Sequence, residues 1–182
     1  MSAPRLVGVV GPSGVGKDSV MAALARVRPG IGLVRRVITR AEGAGGEDCE
    51  RVSDAEFARR AAAGAFVLDW HAHGMRYGIP AAEIAALYPG RIGLVNLSRA
   101  VLPRAERVFE GFVTLHLTAP APVLAARLAA RGRESAAEIE TRLARADFAL
   151  PAGVSRVVRV ANDGPLEATV EAALAALQIE RV

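Results

Sequence analysis

The chain has 182 residues, of which 52% are hydrophobic, and its formal net charge is +4. This length suits one α/β domain, and the lack of any apolar run of about 18 residues excludes a membrane-spanning helix. The first four residues are too short for a signal peptide, and the single cysteine, Cys49, excludes an internal disulfide, so we expect a cytoplasmic protein.

The basic side chains comprise 22 arginines and one lysine, Lys17. They are spread along the chain, and few aromatic residues are present to stack on bases, which disfavours a nucleic-acid partner. Arginines that clamp a phosphate-rich small molecule are the preferred interpretation.

Short, continuous apolar runs predict strands, because strands that are buried on both faces of a parallel sheet lose the alternating pattern. The predicted strands cover residues 5–10, 33–38, 65–70, 91–97, 112–118 and 156–160. Helical patterns lie between them, at 17–27, 53–63, 80–87, 99–108, 120–131, 135 to about 150, and 165–177. This alternation predicts a P-loop fold of the α/β class. It consists of a doubly wound parallel sheet of about five strands, with helices on both faces and a small helical lid. Ligands then bind beyond the carboxyl ends of the strands.

A glycine-rich turn follows the first predicted strand and matches the pattern G-x-x-x-x-G-K. Its residues are Gly11, Pro12, Ser13, Gly14, Val15, Gly16 and Lys17. Glycines let successive backbone N–H groups point inward around a phosphate, and the following helix adds its positive dipole end. This motif predicts ATP binding, with Lys17 reaching the β- and γ-phosphates.

Asp18 stands where this motif normally has a serine or threonine that holds Mg²⁺, and Ser19 follows it. A carboxylate is a good ligand for a hard cation, so we expect Asp18 to bind Mg²⁺ directly or through water, with Ser19 nearby. The alternative is that Asp18 only stabilises the first turn of the helix electrostatically.

These motifs resemble the guanylate kinases over nearly the whole chain. The glycine-rich turn, Ile38-Thr39-Arg40, the stretch Gly74 to Gly78, the arginine-rich segment from Arg127 to Arg133, and Asn162-Asp163 all have counterparts there. The guanine-reading positions differ, since Gly43 replaces an arginine and Cys49 lies about where a tyrosine would be.

Where the chain departs from the guanylate kinases, its motifs resemble those of a related family, the ribose 1,5-bisphosphate phosphokinases. The shared motifs are Gly16-Lys17-Asp18-Ser19, Ile38-Thr39-Arg40, Trp70 to Gly74, Val95 to Arg99 and Arg131 to Glu134. This resemblance implies an ATP-dependent transferase that converts ribose 1,5-bisphosphate to 5-phospho-α-D-ribose 1-diphosphate, for phosphonate breakdown or for cofactor synthesis. Its partner is a small phosphorylated sugar. A homodimer is left open.

The resemblance also implies roles for arginines of a closing lid. Arg131 and Arg142, with Lys17, would be catalytic because they stabilise charge on the moving phosphoryl group, and Arg133 would bind ATP. Solvated helix arginines are the alternative. A single kinase domain is expected, with its core at about 5–38 and 91–178, an acceptor-binding insertion at about 39–90 and the lid at about 127–147.

The acceptor is expected to bind Thr39, Arg40, Asp69, Tyr77 and Arg99. Arg40 would grip a phosphate bidentately, Tyr77 would donate to one, and Asp69 would bind ribose hydroxyls or merely cap its strand. His71 and His73 would lie on one face of an extended stretch and line the acceptor pocket, since zinc lacks further ligands nearby.

Three other functions remain as alternatives. They are a nucleoside monophosphate kinase acting on GMP, a non-catalytic guanylate-kinase-like binding module, and a nucleic-acid-binding protein. The intact phosphate loop with Lys17 disfavours the binding module.

Overall fold

The computed structural model describes residues 5–39, 48–87, 90–132, 135–144 and 149–178. Its strands are β1 (Arg5–Val10), β2 (Ile31–Leu33), β3 (Arg36–Ile38), β4 (Cys49–Arg51), β5 (Phe66–Ala72), β6 (Met75–Pro80), β7 (Ile92–Asn96), β8 (Val113–Thr118) and β9 (Val157–Ala161). Its helices are α1 (Lys17–Val27), α2 (Asp54–Ala62), α3 (Ala81–Ala85), α4 (Leu102–Val108), α5 (Ala121–Arg131), α6 (Ala136–Ala144) and α7 (Leu166–Ala176), and a 3₁₀ turn (Arg99–Val101) precedes α4.

Five parallel strands form the main sheet, in the order β2-β7-β1-β8-β9. In this sheet β1 pairs with β7 on one side and with β8 on the other, so the central strand leads directly into the glycine-rich turn. Both faces of β1 are covered, and Val7, Val9 and Val10 are fully buried. The predicted parallel sheet of about five strands is therefore confirmed.

One face of the main sheet packs against α1 and α7. Val20 and Leu24 of α1 and Val170 and Leu174 of α7 join strand residues in one apolar cluster. The predicted helix at 17–27 is confirmed at both ends. None of the helices in the described part of the chain has the length and apolarity that crossing a bilayer requires.

A second, four-stranded sheet with the order β4-β3-β6-β5 covers part of the other face. Its β5–β6 hairpin is antiparallel, whereas β3 pairs in parallel with β4. The side chains of Leu68 and Ile79 share a core with Leu6, Val10 and Val95 of the main sheet. This core holds the second sheet beside the carboxyl ends of β1 and β7.

The prediction of one strand over 33–38 is wrong, because the chain changes sheets there. β2 pairs with β7, whereas β3 pairs with β6 and β4. Between them, the backbone N–H of Val34 still donates to Leu94, while that of Arg35 donates to the Glu83 side chain, 2.9 Å away. The apolar pattern continues across the break, so it does not reveal the change of sheet.

Candidate functional site

The glycine-rich turn joins the end of β1 to the start of α1, as predicted. Gly11 has no room for a side chain, because a Cβ atom would lie 2.5 Å from the Leu117 carbonyl oxygen. Gly16 is the N-cap of α1, with a left-handed φ of 90° that glycine adopts readily. Gly14 and Val15 are buried, whereas Ser13 is exposed. The turn thus has the strand–turn–helix geometry of an anion nest.

Lys17 folds back over this turn. Its Nζ donates to the carbonyl oxygens of Gly11, at 2.9 Å, and of Pro12, at 3.3 Å. Both carbonyl oxygens are uncharged, so an anionic phosphate group could replace them as the partner of the Lys17 ammonium and form a stronger, charge-assisted hydrogen bond.

Asp18 lies beside Asn96, the last residue of β7. The Asn96 Nδ2 is 3.4 Å from the Asp18 Oδ1, and both Asp18 and Ser19 are exposed in the first turn of α1. Within the described ranges, no three His, Cys, Asp or Glu side chains are grouped closely enough to hold a metal ion. One carboxylate with waters and phosphate oxygens is nevertheless a usual ligand set for Mg²⁺, so Asp18 fits this ion.

The residues predicted to bind the acceptor lie in or directly next to the second sheet and in the turn after β7. Thr39 Oγ1 accepts a hydrogen bond of 2.9 Å from the backbone N–H of Arg76. The Tyr77 ring is buried and stacks on Trp70 with 5.3 Å between ring centroids, and the Arg36 guanidinium lies 5.2 Å from the Tyr77 centroid. Arg40 lies outside the described residues.

The Trp70 indole connects this ring stack to the main sheet. Its Nε1 donates to Ser98 Oγ at 2.9 Å. Ser98 follows β7, whose end also carries Asn96. The hydrogen bond therefore connects β5 of the second sheet to the end of β7 in the main sheet.

Asp69 has a basic neighbour, Arg104, that the sequence interpretation missed. Arg104 Nη1 donates to the Asp69 carbonyl oxygen at 2.7 Å, and its Nη2 is 3.7 Å from the carboxylate. Arg104 lies on α4, 35 positions along the chain, and no local sequence pattern signals that contact.

Arg99 is partly buried in the 3₁₀ turn after β7. Its Nη1 is 3.4 Å from the Ala149 carbonyl oxygen, and burial lowers the pKa of its guanidinium. A guanidinium stays charged in any protein environment, so its loss of water favours an anionic partner.

His73 does not lie on an extended stretch, which corrects the predicted His-x-His face. It has a φ of 51° and, with Gly74, forms the turn between β5 and β6, whereas His71 lies within β5. Both histidines are exposed. The tight hairpin accounts for this difference, because a two-residue turn requires positive φ at both positions.

The segment predicted as a lid, at about 127–147, includes the end of α5 and the whole of α6. Arg131 is the exposed last residue of α5, and Ser135 caps α6 through reciprocal bonds with Glu138. Arg142 lies on α6, where its side chain is outside the described part, and Arg133 is wholly outside it. Behind the turn, Arg127 of α5 and Asn162 after β9 contact the Val15 carbonyl.

Curated relatives match most of the chain. Ribose 1,5-bisphosphate phosphokinase PhnN of Ruegeria sp. (strain TM1040) is 55% identical over 177 residues, which cover 97% of this chain and 93% of that protein. The protein of the same name from Acidiphilium cryptum (strain JF-5) is 53% identical over 167 residues, covering 90% and 87%. No protein-family model matches the chain.

The fold also matches that of a solved guanylate kinase from Anaplasma phagocytophilum. The TM-score is 0.62 at 19% identity, and the match covers 100% of this chain and 87% of that one. At this identity the likeness supports a guanylate-kinase-like fold alone.

Proposed function

Because the chain belongs to the ribose 1,5-bisphosphate phosphokinase family, we propose that it transfers the γ-phosphoryl group of ATP to the 1-phosphate of ribose 1,5-bisphosphate. The products are ADP and 5-phospho-α-D-ribose 1-diphosphate. The observation that carries this proposal is the 55% sequence identity to a named kinase over 97% of the chain, together with the glycine-rich turn between β1 and α1.

The ATP phosphates bind in Gly11 to Lys17 in this proposal. Backbone N–H groups and the start of α1 face the phosphates. Lys17 exchanges its two carbonyl partners for oxygens of the β- and γ-phosphates. Asp18, with Ser19 beside it, would hold Mg²⁺, which would supply positive charge to neutralise the phosphates.

An oxygen of the acceptor's 1-phosphate attacks the γ-phosphorus in line. The new O–P bond forms as the bond to the β,γ-bridging oxygen breaks, and ADP leaves with that electron pair. A phosphate acceptor is already ionised at neutral pH, so this step needs no general base. Positioning and neutralised charge supply the catalysis.

Thr39, Arg40, Asp69, Tyr77 and Arg99 bind the acceptor in this proposal. The second sheet supports this assignment, because it packs beside the ends of β1 and β7 and contains Asp69 and Tyr77, while Thr39 directly follows its strand β3. Arg131, Arg133 and Arg142 belong to the lid, whose closure excludes water and adds positive charge. The single-domain division and a cytoplasmic location are further parts of the proposal.

A parallel assay with several acceptors tests the substrate. ADP release is measured with ATP and Mg²⁺ in the presence of ribose 1,5-bisphosphate, GMP or ribose 5-phosphate. We expect the highest kcat/KM with ribose 1,5-bisphosphate. Turnover of GMP alone would instead identify a nucleoside monophosphate kinase, and no turnover together with no ATP binding would identify a binding module.

A further inference from the structure

We infer that Asn162, Thr169 and Arg127 are positioning residues for ATP, because together they hold the backbone of the glycine-rich turn from behind. This inference rests on the proposed function. We call the three side chains the loop brace. They come from the turn after β9, from α7 and from α5, and none of them lies in the glycine-rich motif itself.

The loop brace meets a carbonyl group that is removed from water. Val15 is fully buried, and its carbonyl oxygen accepts from Asn162 Nδ2 at 2.7 Å and from Arg127 Nη1 at 3.3 Å. A buried carbonyl without a partner is costly. These two donors therefore favour the one orientation of the Val15–Gly16 peptide that points its oxygen toward them.

The same peptide carries the N–H group of Gly16. In a trans peptide the N–H points opposite to the C=O, and no cis peptide occurs among the described residues. Holding the Val15 oxygen toward Asn162 thus turns the Gly16 N–H to the other side of the turn, where the phosphates bind in our proposal. A donor fixed in advance pays less ordering entropy when the anion arrives.

Gly16 shows how closely the brace approaches the turn. A Cβ atom on this residue would lie 2.8 Å from Asn162 Nδ2. The absence of a side chain at Gly16 therefore leaves room for the Asn162 amide and also permits the left-handed backbone.

Thr169 sets the direction of the Asn162 amide. Its Oγ1 donates to Asn162 Oδ1 at 2.8 Å, and both side chains are buried. The reversed amide would place Oδ1 against the Val15 oxygen with no proton between them, which is repulsive. The Asn162 backbone is fixed too, since its N–H donates to Thr118 of β8 at 2.7 Å.

Arg127 joins the brace to α5, the helix that leads into the predicted lid. Its Nη1 donates to the Asn162 carbonyl oxygen at 2.7 Å as well as to Val15. The half-buried Arg127 side chain thus connects α5 by hydrogen bonds to the glycine-rich turn and to the segment between β9 and α7.

Four variants separate positioning from general stability. Thr169→Val removes the hydroxyl that orients the amide, Thr169→Ser keeps it, and Asn162→Ala removes the amide. Thr114→Val is the matched control, because Thr114 is also fully buried in the described structure but its Oγ1 has no hydrogen-bond partner there. For each variant we would measure Tm, kcat, the KM values for ATP and for ribose 1,5-bisphosphate, and the calorimetric Kd for Mg·ATP.

We expect Thr169→Val and Asn162→Ala to raise the KM and Kd for ATP about tenfold, while the KM for the acceptor stays unchanged. Thr169→Ser should restore tight ATP binding, and Thr114→Val should bind ATP like the wild type. Unchanged ATP affinity in Thr169→Val, or an equal loss in Thr114→Val, would overturn the inference. A wild-type protein that fails to bind ATP would instead overturn the proposed function.

Discussion

Lys17 is the residue on which the proposed phosphoryl transfer depends most directly. It is the single lysine among 23 basic residues, and its Nζ already lies over the glycine-rich turn, 2.9 Å from the Gly11 oxygen. A compact ammonium can pivot from that carbonyl to a phosphate, whereas a planar guanidinium cannot do so without rearrangement.

We therefore predict that Lys17→Met lowers kcat/KM by about 100-fold or more, since it removes a charged donor to the transition state. Lys17→Arg, which keeps the charge, should recover only part of this loss. The measurement is steady-state ADP release, with Tm as the check on folding. Near wild-type activity in a folded Lys17→Met protein would contradict the assigned role.

A variant of Asp18 distinguishes the proposed metal role from an electrostatic role in the first turn of α1. We predict that Asp18→Asn raises the Mg²⁺ concentration needed for half-maximal activity, because a carboxylate ligand is lost. Asp54→Asn is the matched control, since Asp54 is also an exposed acid in the first turn of a helix, α2. An unchanged Mg²⁺ dependence in Asp18→Asn would leave Asp18 with the electrostatic role alone.

His116 on β8 gives a pH-dependent prediction about stability. Burial, and then the charges of Arg159 and Arg99, lower the pKa of its imidazole, and within the described structure its Nδ1 has no hydrogen-bond partner. On acidification the unfolded chain therefore binds this proton first, near its ordinary pKa of about 6.5. The free energy of unfolding should fall as the pH drops below that value.

We expect His116→Gln to flatten this fall, because glutamine has no proton to bind. Urea unfolding at a series of pH values measures the free energy of unfolding of the wild type and of the variant. An equally steep fall in the variant would show that other groups cause it.

At the scale of elements, α2 carries a cluster of charges that acid should disrupt. Ser53 caps the helix, and Glu56 pairs with Arg59 and Arg60 at 2.7 and 2.6 Å, while Arg60 also binds Glu50. Hydrogen bonds from Arg59 and Arg60 lower the pKa of Glu56 to about 2.

Because its pKa is lowered in the folded protein, ionised Glu56 stabilises the fold. This stabilisation is fully present above the unfolded pKa of about 4.3 and is lost as the pH falls through the folded value of about 2. Carboxyl-carbon NMR should show Glu56 titrating well below its ordinary range, and Arg59→Gln should shift it upward. Titration near the ordinary value in the wild type would contradict the pairing.

Elements with strong local signals were predictable from the sequence. The apolar run before a glycine-rich turn gave β1 and α1, and Ser53 and Ser135 marked the starts of α2 and α6. β4 and β6 were missed, because β4 has only three residues and β6 contains Gly78 and Arg76 rather than a clear apolar run. β6 pairs with β5 through a tight hairpin, but the pairing of β3 with β4 and with β6 joins distant parts of the chain, which no local pattern encodes.

At the scale of the whole molecule, the two sheets position different parts of the proposed site. The main sheet presents the phosphate turn at the end of its central strand, and the second sheet presents Thr39, Asp69 and Tyr77 beside it. Motifs in the sequence indicated both groups of residues. The partners that position them were not predictable, since Asn162 and Val15 are 147 positions apart and Arg104 and Asp69 are 35 apart.

Product identification in a competitive mixture tests the central claim most directly. The protein would be incubated with ATP, Mg²⁺ and equal amounts of ribose 1,5-bisphosphate and GMP, and the products analysed by mass spectrometry with fragmentation. We predict a sugar product that is one phosphoryl group heavier than ribose 1,5-bisphosphate and releases a diphosphate fragment, formed together with ADP. Appearance of GDP while ribose 1,5-bisphosphate remains intact would contradict the account.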